Sequence, residues 1–328
     1  MRAVVLVGGF GTRLRPLTYS RPKQMLPVGH RTMLEVVVAA LGRQGVDEAV
    51  LSLGYQPDAF VSAFPSGRIG PVRLTYAVEP EPLDTAGAIR FAARAAGIDE
   101  TFVVVNGDVL SDVDVAGLVA FHRDRGVDAT IHLTRVEDPS AFGVVVTDAA
   151  GRVERFVEKP PRGEAPSNEI NAGVYVLEPS VLDRIEPDVP VSIERVTFPA
   201  LAADGRLFAL ASDGYWLDAG KPGAYLAANL DAVAGRGPAA PADPLGPGAV
   251  ADGATVEGSV IGADALVAPG ATVRGSLLLP GAVVEADAVV ERSILGALAR
   301  VGAGAHVQGL VVADGVTIPT GARLRDLV

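Results

Sequence analysis

Cysteine is absent from the 328 residues, which removes disulfides, thiolate nucleophiles and Cys-based metal sites together. Long apolar runs are missing too: nothing approaches the ~18 residues that a membrane span needs. The start, "MRAVVLVGG", carries one charge and too short an apolar run for a secretory leader. A soluble cytoplasmic chain with no membrane partner is therefore expected. Positive charge is short: the formal net charge of −11 argues against nucleic acid or an anionic surface as partner. It leaves room for a local basic pocket that takes a small anion. Lysine is rarest among the 28 basic residues, with only Lys23, Lys159 and Lys221. The four histidines, His30, His122, His132 and His306, lie far apart without metal-ligand spacing.

What is present is 49 % hydrophobic and organised in two textures. Up to about residue 230, short β-branched runs ("RAVVLV", "EAVLSL", "VRLTYAV", "TFVVV") alternate with helical patterns ("TMLEVVVAALGRQG", "TAGAIRFAARAAG"). That alternation predicts a mostly parallel α/β sheet covered on both faces, Rossmann-like in kind. The later runs "DATIHLTRV", "GVVVTD" and "RVERFVE" follow without helices, so part of the sheet should be antiparallel. "PGAYLAANLDAVAG" reads as a closing helix, with proline near its start and glycine at its end. A Pro/Gly/Ala segment follows, and beyond it apolar residues recur at Val250, Val256, Ile261, Val267, Val273, Leu278, Val284, Val290, Leu295, Val301, Val307, Val312, Ile318 and Leu324, a 17-residue period. Fixed-period self-similarity marks a solenoid. The expected organisation is a catalytic domain over 1–234, a linker over 235–248 and a repeat domain of about four coils over 249–328.

The stretch that carries chemistry is "VVLVGGFGTRLRPLT", residues 4–18. Glycines after a first strand let backbone N–H groups approach phosphate oxygens, and arginine adds a permanent planar cation. A P-loop is excluded because no "GK[ST]" follows, and the dinucleotide fingerprint fails because Leu14 stands where its last glycine belongs. Asp112 and Asp114 read as a turn and a helix cap. Lys221 reads as a helix-start residue.

Extended to "GGFGTRLRPLTYSRPKQMLPV", the segment resembles the signature of the sugar-1-phosphate nucleotidyltransferases, over residues 1 to about 230. The six-residue steps of the tail resemble the hexapeptide repeat of left-handed parallel β-helices, as in the subset that includes GDP-mannose pyrophosphorylases. The resemblance implies transfer of a nucleotidyl group from a nucleoside triphosphate to a sugar 1-phosphate, with Mg²⁺ and with self-association through the β-helix. It implies that Val7, Gly8, Gly9, Gly11 and Thr12 hold the triphosphate, with Arg13 and Lys23 as catalytic cations. "EPEPLDTAGAI" resembles the base-binding segment and offers Glu79, Pro82, Asp84, Thr85, Ala86 and Gly87. Asn106, Gly143, Glu158, Lys159, Asn171 and Gly173 match the sugar-phosphate positions, and Asp108 and Asp218 match the metal ligands. "VSIERVTFPAL" is similar to a further segment of the mannose enzymes.

The base pocket pulls two ways. Guanine presents two adjacent donors, which a carboxylate accepts, so Glu79 favours GTP. Gln24 stands where thymidylyl relatives carry glutamine, and Asp84 replaces a glycine whose backbone approaches the base. The expectation is GTP with mannose 1-phosphate. Alternatives are a thymidylyl or uridylyl enzyme, one for a modified sugar phosphate, or a non-catalytic regulatory homologue.

Overall fold

A computed structural model describes residues 1–246 and 249–326. Pro247 and Gly248 of the expected linker, and Leu327 and Val328 of the tail, lie outside the described residues. Contacts divide the chain into two compact units that do not follow chain order. Met1–Gly9 joins Val37–Trp216 in one, and Phe10–Val36 joins Leu217–Val328 in the other.

The first unit is built on a ten-stranded sheet. Four strands run parallel: β1 (Arg2–Leu6), β2 (Glu48–Leu53), β3 (Val72–Val78) and β4 (Phe102–Asn106), in the order β4-β1-β2-β3. Beyond β4 the direction changes, as the helix-free runs predict. β5 (Ala129–Arg135), β6 (Gly143–Thr147), β7 (Val153–Glu158), β8 (Glu169–Leu177) and β9 (Leu207–Ala211), with a two-residue edge strand Arg68–Ile69 antiparallel to β3, complete the sheet. β8 pairs antiparallel with β4, β5 and β6, and β6 pairs antiparallel with β7. The central parallel strands are nearly continuous runs of Val, Leu and Ala because both of their faces are covered. Val4, Val50, Ile89, Phe102, Val104, Ile131, Tyr175 and Phe198 share one buried core. Helices α1 (Asp84–Ala95) and α2 (Val115–Arg125) follow β3 and β4. Asp114 caps α2 by accepting the Gly117 N–H at 2.9 Å, as its sequence position suggests.

The second unit contains the signature loop, the closing helix α3 (Pro222–Val233) with Lys221 at its N-cap, and the periodic tail. Among the described residues the tail forms three parallel sheets, two of five strands and one of four. Each strand pairs with the one 17 residues later, as Val267 with Val284 and Val273 with Val290. This is a parallel β-helix. Its three corners also repeat: left-handed backbone occurs at 253, 270, 287, 304 and 321, at 258, 275, 292 and 309, and at 264, 281, 298 and 315. Nine of these thirteen positions are glycine, where a left-handed φ carries no Cβ penalty; Asp264, Asp287, Arg292 and Leu298 are the rest.

Eleven of the fourteen periodic apolar residues, Ile261 through Ile318, are buried. Val250 and Val256 are only part-buried and Leu324 is exposed, because an end coil has a neighbour on one side only. Ser259, Ser276 and Ser293 add an internal ladder. Each hydroxyl donates to a carbonyl two residues back and accepts the N–H of the residue 17 positions on. The expected linker lies against the first coil: Leu245 bridges Ile261, and Gly246 N–H donates to Ile261 at 2.7 Å.

Candidate functional site

Ligands of open α/β sheets bind beyond the carboxyl ends of the parallel strands, and the first unit gathers several candidate residues there. Leu6 pairs with Ser52 on one side and Asn106 on the other, so Val7, Gly8 and the loop carrying Asp108 leave the same edge. Glu79 follows β3, its N–H bonded to the Leu53 carbonyl at 2.8 Å. Its carboxylate is buried and held, accepting the Ser52 hydroxyl at 2.8 Å and the Leu83 N–H at 3.2 Å. A Cβ on Gly8 would stand 3.3 Å from Glu79 Oε1, so the glycine loop and the proposed base reader are neighbours.

The segment after Glu79 turns into α1. The amides of Ala86 and Gly87 both donate to the Val191 carbonyl, and the Thr85 hydroxyl donates to Glu194 at 2.7 Å. These three residues therefore fix the turn, leaving Pro82 and Asp84 exposed beside it. Asp84 has φ +56°, and its Oδ1 accepts the Thr85 N–H at 2.7 Å. A left-handed backbone explains the glycine that the resemblance places here, and aspartate tolerates it by bonding locally.

A third group lies around β8. Where β8 crosses β5 the register shifts between Asn171 and Tyr175, a bulge that contains Gly173 at φ +73°. Asn171 accepts the Gly173 N–H and donates to the Tyr175 hydroxyl, both at 2.9 Å. A Cβ on Gly173 would stand 2.7 Å from Asn106 Nδ2, so only glycine lets Asn106 lie there. Burial pushes the Tyr175 hydroxyl far above its ordinary pKa, with the charges of Glu194 and Glu158 in the same direction; it stays a neutral donor. Gly143 pairs with Glu158, whose Oε1 lies 3.0 Å from Lys159 Nζ. Lys159 itself sits at φ +49°. Trp216 donates from its indole to the Ala172 carbonyl at 2.9 Å and meets the Phe142 ring edge-on.

In the second unit Gly11 takes a left-handed turn (φ +64°) and starts a single 3₁₀ turn, Thr12–Leu14. Its carbonyl accepts the Thr18 hydroxyl at 2.8 Å, and a Cβ there would meet Thr18 and the Lys23 stem. Arg13 Nη2 lies 3.9 Å from Asp218 Oδ2, while Asp218 Oδ1 accepts the Gly220 N–H at 2.9 Å. Lys23 opens a second 3₁₀ turn, Lys23–Met25. Beside it, the side chain of Gln24 is buried, and neither amide atom has a hydrogen-bond partner among the described residues.

Thus Asn106, Glu158, Lys159, Asn171 and Gly173 fall together, as do Gly8 and Glu79, and Arg13 meets Asp218. Glu194 and Tyr175 escaped the sequence reading, although "VSIER" held the signal for Glu194. Among the described residues no cluster of three or more His, Cys, Asp or Glu side chains could hold a metal ion. Asp108 lies in the first unit and Asp218 in the second; each offers the hard carboxylate oxygen that Mg²⁺ prefers. No helix of the described residues is long and apolar enough to cross a membrane.

Residues 2–234 match the Nucleotidyl transferase family and residues 247–328 the GMPPB C-terminal domain. A probable mannose-1-phosphate guanylyltransferase 1 of Oryza sativa subsp. japonica is 44 % identical over 80 % of this chain and 71 % of that protein. A mannose-1-phosphate guanyltransferase of Schizosaccharomyces pombe is 46 % identical over 69 % of this chain, a match spanning 62 % of the yeast protein and so less than two thirds of it. Among solved structures, HddC from Yersinia pseudotuberculosis complexed with GMP-PN matches with a TM-score of 0.60 at 28 % identity, over 70 % of this chain and 97 % of that one.

Proposed function

The chain belongs to the nucleotidyl transferase family, and from that premise we propose that it joins GTP and mannose 1-phosphate to give GDP-mannose and pyrophosphate. The observation that carries the base choice is the buried Glu79 carboxylate beside the glycine loop. Its two oxygens, each with a lone pair beyond the bonds from Ser52 and Leu83, suit the paired N1–H and N2–H₂ donors of guanine. The names of the plant and yeast relatives support the same substrates.

The chemistry asks for position and charge. An oxygen of the sugar phosphate, already ionised at neutral pH, attacks the α-phosphorus; the new P–O bond forms as the bond to the bridging β-phosphate oxygen breaks. Pyrophosphate leaves in line with the electron pair. Arg13, Lys23 and Lys159 offset the repulsion of two anions and the charge that moves onto the leaving group. Asn106, Asn171, Gly143, Gly173 and Glu158 hold the sugar. By the family resemblance Asp108 and Asp218 would be the residues that hold Mg²⁺, which would supply further cationic charge at the phosphates. Self-association through the β-helix and a cytoplasmic location belong to the same reading.

The test is pyrophosphate release from GTP, dTTP, UTP, ATP and CTP, each with mannose and glucose 1-phosphate and Mg²⁺. Fastest turnover with GTP and mannose 1-phosphate is expected, and Glu79→Gln should erase the preference for GTP. Preference of the wild type for dTTP or UTP overturns the base assignment. One observation favours that second reading: the buried amide of Gln24 has both a donor and an acceptor unused among the described residues, as a pyrimidine edge requires.

A further inference from the structure

The β-helix bonds to the signature loop through Asp314, a residue that breaks its own repeat. Positions 263, 280 and 297 occupy one corner row and are Ala, Pro and Ala; the fourth member of the row is Asp314. Its register in the row is fixed by the ladder of N–H donors from Gly281, Leu298 and Gly315 to the carbonyls of Ala263, Pro280 and Ala297. The three other coils close without a carboxylate in this row.

Asp314 reaches both ways. Its Oδ1 accepts the Ala297 N–H at 2.8 Å, which locks the carboxylate to the preceding coil. Its Oδ2 accepts the Ser20 hydroxyl at 2.7 Å and Arg21 Nη2 at 2.9 Å, across almost 300 residues of chain. Both the Arg21 and Asp314 side chains are largely covered, at 29 % and 25 % exposure, so the pair is less screened than an open surface pair. Arg21 and Pro22 lead directly into the Lys23–Met25 turn. On its far side, the Pro27 carbonyl accepts the Tyr225 hydroxyl at 2.6 Å, and the Gly29 N–H donates to Asn229 at 2.9 Å. The turn that bears Lys23 is thus pinned at one end by α3 and at the other by the fourth coil of the tail.

We propose that Asp314 is a positioning residue for the transfer reaction: through Ser20 and Arg21 it holds the Lys23 turn in place, making the β-helix part of the apparatus that aims a cation at the phosphates. The proposal rests on the reading of Lys23 as a phosphate contact. Misplacing such a group by about 1 Å costs on the order of a hundredfold in rate, so Asp314→Ala should lower kcat by about ten- to a hundredfold while the KM for the sugar phosphate changes little. Asp314→Asn keeps the shape and the bond to Ala297 side of the carboxylate's contacts but loses the charge, and should lie between. The reversed pair, Arg21→Asp with Asp314→Arg, should recover part of what each single change loses.

The decisive measurement is a double-mutant cycle with Lys23→Ala, read as pyrophosphate release by the full chain. If Asp314 acts through Lys23, Asp314→Ala costs little in the Lys23→Ala background. Equal losses in both backgrounds, or wild-type kcat for Asp314→Ala, overturn the proposal. Hydrogen exchange of the Met25 and Leu26 amides, which bond to Pro22 and Lys23, reads the brace without activity. Faster exchange in Asp314→Asn, confined to this turn, supports it, and unchanged exchange overturns it. Should the wild type release no pyrophosphate from any substrate pair, the functional reading fails, and exchange alone decides the brace.

Discussion

The tail and the sheet unit satisfy buried polar groups in opposite ways. In the tail, Ser259, Ser276 and Ser293 repeat one solution, each passing a hydrogen bond to the next coil. In the sheet unit the held polar groups are single cases: buried Glu79 between Ser52 and Leu83, half-buried Asn171 between Gly173 and Tyr175, buried His132 against Ser212. Repetition uses polar groups for cohesion, because each coil must only recognise its neighbour. The aperiodic unit holds a few polar groups at a strand edge in one orientation, as a binding site requires.

Acid should separate the two regions most widely. His132 is buried with Nε2 bonded to Ser212 and Nδ1 without a partner among the described residues, and burial lowers its pKa from 6.5 to about 4. The unfolded chain takes up a proton near pH 6.5 and the folded one only near 4. The contribution is therefore whole above pH 6.5 and is lost as pH falls towards 4. From a difference of 6.5 to about 4 it amounts to about 3 kcal/mol. Urea unfolding at pH 7 and pH 4.5 should show this loss, and His132→Leu should abolish most of it. An unchanged slope in His132→Leu would remove histidine from the account.

Gly173→Ala comes next. Its Cβ would crowd Asn106 and occupy a left-handed φ, so kcat/KM should fall about a hundredfold. In the tail, Ser276→Ala strips a buried acceptor from the Ser293 N–H and a donor from the Arg274 carbonyl. The expected cost is about 2 kcal/mol, and Ser259→Ala should match it if coils are equivalent; chemical denaturation compares the two. Unequal costs would break the picture of identical steps. The smallest effect is a gain. Leu298 occupies a left-handed corner at 72 % exposure, where the coils before and after use Gly281 and Gly315. Leu298→Gly should stabilise by about 1 kcal/mol, seen as a raised Tm.

Legibility in the sequence followed the same divide. The tail could be read residue by residue, because its 17-residue period places each apolar position against its copy. Missed there were the alanines at 265, 282 and 299 and at 271, 288 and 305, which share the interior, and the exposure of the end coils. In the sheet unit the parallel strands and the antiparallel turn beyond β4 were readable from run and spacing. The β8 bulge was not: "INAGVY" reads as plain strand, and only the pairing with β5 shows the register shift that sets Gly173 against Asn106. Glu194 was equally hidden, since its bond to Thr85 joins residues 109 apart.

By itself, then, the sequence determined the two textures and the family signature, both written in contiguous motifs or a fixed repeat. Tertiary structure alone decided that the signature loop from Phe10 belongs to one compact unit with α3 and the tail, while Met1–Gly9 belongs to the other. It also decided that one aspartate of the last full coil closes on Ser20 and Arg21. Such contacts carry no period and no local propensity. They exist only because two surfaces distant in the chain become complementary once each has folded.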